Sequence, residues 1–400
     1  MSEWKKVSLS EMGIVSRGKS KHRPRNDTRL YGGRYPFIQT GDIGAAGLYV
    51  TDYSQTYNEE GLAQSKLWEK NTLCITIAAN IADTALLAFP ACFPDSIMGF
   101  VPHKDVANVK YVKYCFDILK KDCQQISQGT AQDNLSWKKL STIKFPCPPL
   151  EVQNRIATIL SRYDSLIENY QKQIKLLEEA AQRLYKEWLI DLRFPGHENT
   201  KIVDGVPEGW ERKKLCEFTG ITDGTHDSPK QVEIGLPLVT GRCIVDGSID
   251  FSQAYNISEE DVININKRSA VEDGDILLSN IGTIGKVCRI SKSGNYAVKN
   301  MIIFKPHDAI HSCFLHRFLT DNNTQMDFLQ QAAGTSQKFV SLSFIRNTLI
   351  LRPSDTILNL FYNHSEKYFN YVHSLQTQIR LLTEARDRLL PKLMSGEITV

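Results

Sequence analysis

Gln171-Lys172-Gln173-Ile174-Lys175-Leu176-Leu177-Glu178-Glu179-Ala180-Ala181-Gln182-Arg183-Leu184 returns 205 residues later as Gln376-Thr377-Gln378-Ile379-Arg380-Leu381-Leu382-Thr383-Glu384-Ala385-Arg386-Asp387-Arg388-Leu389, identical at nine of fourteen positions. The 400-residue chain is therefore read as an internal duplication. Working outward, Trp4-Lys5-Lys6-Val7 matches Trp210-Glu211-Arg212-Lys213-Lys214-Leu215, and Pro36-Phe37-Ile38 matches Pro237-Leu238-Val239. Phe100-Val101-Pro102-His103 matches Phe304-Lys305-Pro306-His307, and Gly129-Thr130-Ala131-Gln132 matches Gly334-Thr335-Ser336-Gln337. The offset varies only from 201 residues at Pro36 to 206 at Trp4, as loop insertions would cause.

Each repeat has a β-rich part and a helical part. Asn71 to Ile77 and Asp275 to Ser279 read as matched strands, Tyr111 to Leu119 and Cys313 to Leu319 as short helices. The helical part opens after Pro148-Pro149 and closes before Phe194-Pro195-Gly196. Its apolar positions are Ile156, Leu160, Tyr163, Ile167, Tyr170, Ile174, Leu177, Ala181, Leu184 and Trp188. They alternate by four and three, the seam of a coiled coil. The second copy gives Phe361, Ser365, Tyr368, Val372, Leu375, Ile379, Leu382, Arg386, Leu389 and Leu393, apolar except at Ser365 and Arg386. Such a helix spans about 55–60 Å, longer than a domain is wide, so the two helices are expected to pack on each other. Pro391 predicts a kinked or broken last turn in the second.

The expected fold is α+β: two β-rich mixed domains joined by two long antiparallel coiled-coil helices in a pseudo-twofold repeat. The expected boundaries are 1–149 for the first domain, 150–194 for the first helix, 195–353 for the second domain and 354–400 for the second helix.

Composition sets limits. The hydrophobic fraction of 42% is ordinary for a soluble protein, and no apolar run reaches membrane-spanning length. Met1 to Lys6 lacks the apolar core of a secretory signal. Nine scattered cysteines without a C-x-x-C pair suit a reducing cytoplasm. The net charge is only +3, but basic residues cluster locally. Arg17, Lys19, Lys21, Arg23, Arg25, Arg29 and Arg34 share their stretch with one acid, Asp27. They are candidates for phosphate or guanine contact, the alternative being a solvated basic loop. Thr130, Gln132, Thr335, Gln337 and the neighbouring Lys338 suit base edges or phosphates, though glycine with threonine is also ordinary turn chemistry. Thr225, His226, Ser228, Lys230 and Arg242 lie in expected loops of the second domain, and Lys286 closes its glycine-rich loop.

Enzyme signals are lacking. Gly282-Thr283-Ile284-Gly285-Lys286-Val287 lacks the upstream glycine and the Ser/Thr after lysine of a phosphate loop. No Asn/Asp-Pro-Pro-aromatic segment supports adenine methylation, and no carboxylate cluster suggests a nuclease. His307, His311, Cys313 and His316 read as incidental rather than as metal ligands. No cofactor and no metal are expected.

In combination these features resemble the DNA specificity subunits of type I restriction–modification enzymes. Leu389-Leu390-Pro391-Lys392-Leu393-Met394-Ser395-Gly396-Glu397-Ile398 is similar to the family's C-terminal ending, and Leu184 to Phe194 to its central region. Pro207-Glu208-Gly209-Trp210 resembles the entry to the second target-recognition domain, and Gly274-Asp275-Ile276-Leu277-Leu278 with Gly282 to Lys286 its core motif. The first domain departs there, with Thr76 to Asp83 in place of Ser279 to Lys286, and its loop is expected to differ. The resemblance implies a non-catalytic, cytoplasmic chain in which each domain reads half of a split double-stranded DNA target. The helices would set the spacing and dock two copies of an adenine methyltransferase subunit, joined by a motor-nuclease restriction subunit, with no membrane partner. The pairing residues expected are Ile156, Leu160, Ile167, Ile174, Leu177, Leu184, Val372, Ile379, Leu382 and Leu389. The rival readings are a specificity module of another restriction–methylation enzyme and a coiled-coil protein adaptor.

Overall fold

The computed structural model describes residues 4–78, 80–127, 135–332 and 338–400. The chain divides into two compact units, Met1–Gln173 with Leu375–Val400, and Ile174–Ser374. Each unit therefore holds one β-rich domain, part of the first long helix and part of the second.

In the first unit, a five-stranded sheet runs in the order Gly13–Arg17, Ile97–Pro102, Leu73–Thr76, Thr84–Leu87, Tyr49–Val50. The central strand Leu73–Thr76 is buried on both faces, and its side chains alternate between two cores. Leu73 and Ile75 pack with Tyr111, Val112, Cys115 and Phe116 of the helix Val109–Ser127. Cys74 faces Ile38, Val50, Trp68 and Phe93. In the second unit, four antiparallel strands run Gly220–Asp223, Met301–Lys305, Ile276–Ser279, Val287–Arg289. Ile276 and Leu278 pack with Phe314 and Phe318 of the helix Ala309–Thr320, while Leu277 packs with Val239, Cys243 and Ile303. Both short helices are longer than the sequence suggested: the first, Val109–Ser127, extends mainly beyond Leu119, and the second, Ala309–Thr320, mainly before Cys313.

The first long helix runs Leu150–Tyr185 and widens into one π turn, Lys186–Ile190, before Leu192 turns left-handed at φ 57°. The second runs Asp355–Ser395. The break expected at Pro391 does not occur. Pro391 lies on the exposed face of the continuous helix, and Leu393 and Met394 beyond it are buried in the first unit's core. Gly396, at φ 75°, stops the helix instead.

The helices are antiparallel. In the first unit Ile156 and Leu160 share a core with Leu389 and Leu393. In the second, Tyr185 and Trp188 each approach the Phe361 ring to 6.2 Å. None of the twenty seam positions is exposed: Ile156, Leu160, Ile167 and Val372 are buried, and Ile174, Leu177, Leu184, Ile379, Leu382 and Leu389 are half-buried. The two polar seam positions sit where a domain meets a helix. In the first unit Arg386 donates to Asp164 at 2.7 Å, and the Tyr114 hydroxyl donates to the other carboxylate oxygen. Burial raises the pKa of Tyr114, so its hydroxyl remains a donor. In the second unit Ser365 accepts from buried Arg317 at 3.4 Å. Among the described residues, no helix is long and apolar enough to cross a membrane.

Candidate nucleic-acid interface

Strand register gathers the candidate residues at one end of each domain's sheet. In the first domain Arg17 pairs with Met98 and Thr76 with Ile97, so the chain following Arg17 and the loop following Thr76 leave the sheet at the same end. The segment after Arg17 is held by its backbone. Gly18 N donates to Ile97 O at 2.8 Å, Lys19 N to Phe93 O at 3.0 Å, and Lys21 N to Gln64 Oε1 at 2.6 Å. Position 18 must be glycine, because a Cβ would sit 2.3 Å from the Pro94 carbonyl oxygen.

All seven cations of this stretch are exposed, but they are not alike. Arg25 and Arg23 pair with Asp95 at 2.6 and 3.8 Å, Arg29 with Asp27 at 2.8 Å, and Arg34 with Glu59 at 3.1 Å. The Arg29 side chain is the main cause holding the Asp27 carboxyl well below its ordinary pKa. The acid-poor appearance of the stretch is thus corrected: folding brings in Asp95 and Glu59. Among the described residues, Arg17, Lys19 and Lys21 have no acidic partner within 4.0 Å. One cation the sequence reading missed is Lys66, exposed, with its ammonium 3.5 Å from the Trp68 ring centroid and 3.5 Å from Ser16 Oγ. Only its place two residues before an aromatic hinted at it.

The second domain repeats the geometry with different chemistry. Asp223 pairs with Ile302 and Ser279 with Met301, so the Thr225–Lys230 segment and the Ser279–Lys286 loop share one sheet end. Thr225 is buried, paired through its backbone with Val298 and Asn300, and its hydroxyl meets Asp227. The His226 ring lies 2.9 Å from Asn300 Oδ1 and 2.7 Å from Asp223 Oδ2. Those hydrogen bonds, Asn300's first, raise its pKa and favour the cation. Ser228 accepts from Lys299 at 2.6 Å. Lys230 is exposed, as is Arg242 on the turn Gly241–Cys243, which packs against Ser279. Lys286 is occupied: its ammonium donates to the Ile244 carbonyl at 2.7 Å. Lys338 is exposed, and its carbonyl accepts from Gly282 N. A cleft of about 740 Å³ beside Thr225 is lined by Asp227, Ser228, Asp261, Asn264 and Arg268.

The core loops overturn one expectation. Despite their unlike sequences they close identically. Thr76 N donates to Asp83 O and Ser279 N to Lys286 O, both at 2.9 Å. Asp83 N reaches Thr76 Oγ1 at 3.0 Å, and Lys286 N reaches Ser279 Oγ at 2.9 Å. Ala82 at φ 64° takes the left-handed place that Gly285 fills at φ 91°, each donating to the residue that opens its loop. A non-glycine residue there costs about 1–2 kcal/mol, so an alanine at that place does not announce the match in sequence. The chain following each Gly-Thr-x-Gln segment returns beside its loop, Leu135 N to Ile77 O and Val340 N to Asn280 O, both at 2.9 Å. Thr130, Gln132, Thr335 and Gln337 themselves lie outside the described residues.

Among the described residues, no group of histidine, cysteine and carboxylate side chains could hold a metal ion. His311 instead meets its own helix cap, Asp308, at 2.8 Å, and Cys313 is buried in the core.

Comparison with known proteins adds the following. Residues 1–179 match the model of the type I restriction modification DNA specificity domain. The chain is 26% identical over 417 residues to the MjaIX type I restriction enzyme specificity subunit of Methanocaldococcus jannaschii, spanning 100% of this chain and 94% of that one. It is 21% identical over 423 residues to the EcoBI specificity subunit of Escherichia coli, spanning 99% and 86%. The crystal structure of a type I restriction–modification S subunit from M. genitalium superposes with a TM-score of 0.64 at 16% identity, over 98% of this chain and 96% of that one. At that identity the likeness is one of fold.

Proposed function

We infer the function from the premise that this chain belongs to the type I restriction–modification DNA specificity subunits, and we propose that each domain reads one half of a split double-stranded DNA target. The long helices space the two readers and dock two copies of an adenine methyltransferase subunit, to which a restriction subunit is added. The chain itself supplies recognition and no chemistry.

The observation that carries this reading is the repeated sheet end. Each domain brings the same three stretches of chain together, with the same loop closure and with different side chains at the surface. Equal frames with unequal surfaces suit two readers of unequal half-sites. A twofold dimer, by contrast, reads identical ones. Docking of two identical partners is supported by a repeated surface position. Leu176 and Leu381 occupy the same place in the two helices, lie off the seam, and are 64% and 51% exposed. An exposed leucine is unremarkable singly; its recurrence on both helices fits a surface used twice.

Salt-dependent binding tests the interface. Replacing Arg17, Lys19 and Lys21 by glutamine lowers the slope of log affinity against log salt by about 2–3, at about 0.9 per lost phosphate contact. Replacing Arg23, Arg25 and Arg29 lowers it less, because Asp95 and Asp27 compete for those side chains. Titration of the complex onto target duplex across a salt series measures both. If the first triple variant keeps the wild-type slope and affinity, the basic stretch is a solvated loop.

A further inference from the structure

We propose that Arg289 is a positioning residue: its ion pair with Glu366 fixes the angle at which the second domain's reading end leaves the second long helix, and so the half-site gap the protein accepts. This rests on the two-reader function above.

Arg289 ends the strand Val287–Arg289 and is 8% exposed. Nη1 donates to Glu366 Oε2 at 2.6 Å and Nη2 to Oε1 at 3.2 Å, a two-pronged pair from sheet to helix. Nε donates to Ser312 Oγ at 2.9 Å, on the helix Ala309–Thr320. The guanidinium carbon lies 4.4 Å from the Phe369 ring centroid, one helical turn beyond Glu366. One planar cation thus meets the sheet, the short helix and the long helix in fixed directions, which a flexible ammonium would not do. Apolar packing at this junction, such as Phe314 and Phe361, is not directional. A buried ion pair often adds no stability over apolar residues of equal volume, so its presence here is best explained by the direction it imposes.

The clamp is mechanically coupled to the reading end. Lys286 closes the reading loop through its backbone, and Arg289 follows three residues later on a strand that pairs Val287 with Leu278 and Arg289 with Ile276. That strand carries any tilt at the clamp to the loop without a hinge between them. The first unit's junction uses other groups, Tyr114 and Arg386 on Asp164.

The test uses the complex with methyltransferase subunits and a set of duplexes that hold both half-sites and differ in the gap. Two variants are compared with wild type: Glu366→Gln, and the double Arg289→Met with Glu366→Leu, which removes both charges of the pair together. Misplacement of a reader by about an ångström is expected to lower methylation at the native gap about tenfold or more. Gaps one base pair longer or shorter should then come within about threefold of it, since the lost direction favours no single spacing. The half-site sequences and the thermal unfolding of the double variant stay unchanged. If the folded double variant keeps the wild-type ratio between native and neighbouring gaps, Arg289 positions nothing. A wild-type complex indifferent to gap would overturn the two-reader function, and the clamp with it.

Discussion

Seven residues inserted after Lys172 and seven after Thr377 will abolish methylation of the native target while the protein stays folded. The two points are equivalent in the repeat, and a heptad preserves the alternation of seam positions. Each helix lengthens by about 10 Å, at about 1.5 Å per residue. On DNA that length is about three base pairs, at about 3.4 Å per pair. Three pairs also turn the duplex by about 100°, given about 10.5 pairs per turn. The helical insert rotates what it carries by only about 20° per heptad. A reader so displaced misses its half-site in both position and facing. Methylation across targets of varied gap is the measurement, and full activity at the native gap would mean that the helices are not the ruler.

The second large effect concerns assembly. Leu176→Asp with Leu381→Asp will leave DNA binding by the chain intact and remove methyltransferase association. Both side chains are exposed and off the seam, so neither change disturbs the packed stripe. An apolar anchor at the centre of an interface is worth about 2 kcal/mol or more, about thirtyfold in affinity for each docked copy. Mass of the assembled complex, read beside duplex binding by the chain alone, separates the two functions. Unchanged assembly would place the docking surface elsewhere.

The architecture was legible because it rests on periodicity. The four-three alternation from Ile156 to Trp188, present twice, demands a partner for a long apolar stripe, and the only matching stripe is its own copy. Chemistry at the junctions was not legible. Ser365 and Arg386 looked like faults in the second seam, yet Ser365 meets buried Arg317 of the second domain, and Arg386 meets Asp164 of the first long helix, which also accepts from Tyr114 of the first domain. Their partners are far away in sequence and carry no periodic mark. The candidate interface was legible by half. Its cations could be named, but Asp95 and Glu59, which neutralise four of them together with Asp27, arrive only by folding. Lys286 drew attention as the end of a glycine-rich loop, whereas its ammonium serves the Ile244 carbonyl. The Thr76–Asp83 and Ser279–Lys286 loops were separated by composition and reunited by hydrogen bonds, since backbone closure depends on one hydroxyl and one left-handed residue rather than on the residues at the tip.

The most direct test of two independent readers is an exchange of one of them. Val206 to Leu351 is replaced by the corresponding domain of a relative with a known, different target, and the methylated sites are mapped genome-wide in a host that supplies the methyltransferase subunit. The account predicts a new target in which one half is exchanged for the relative's and the other half, with the gap, is retained. A target altered in both halves, or in neither, would contradict it.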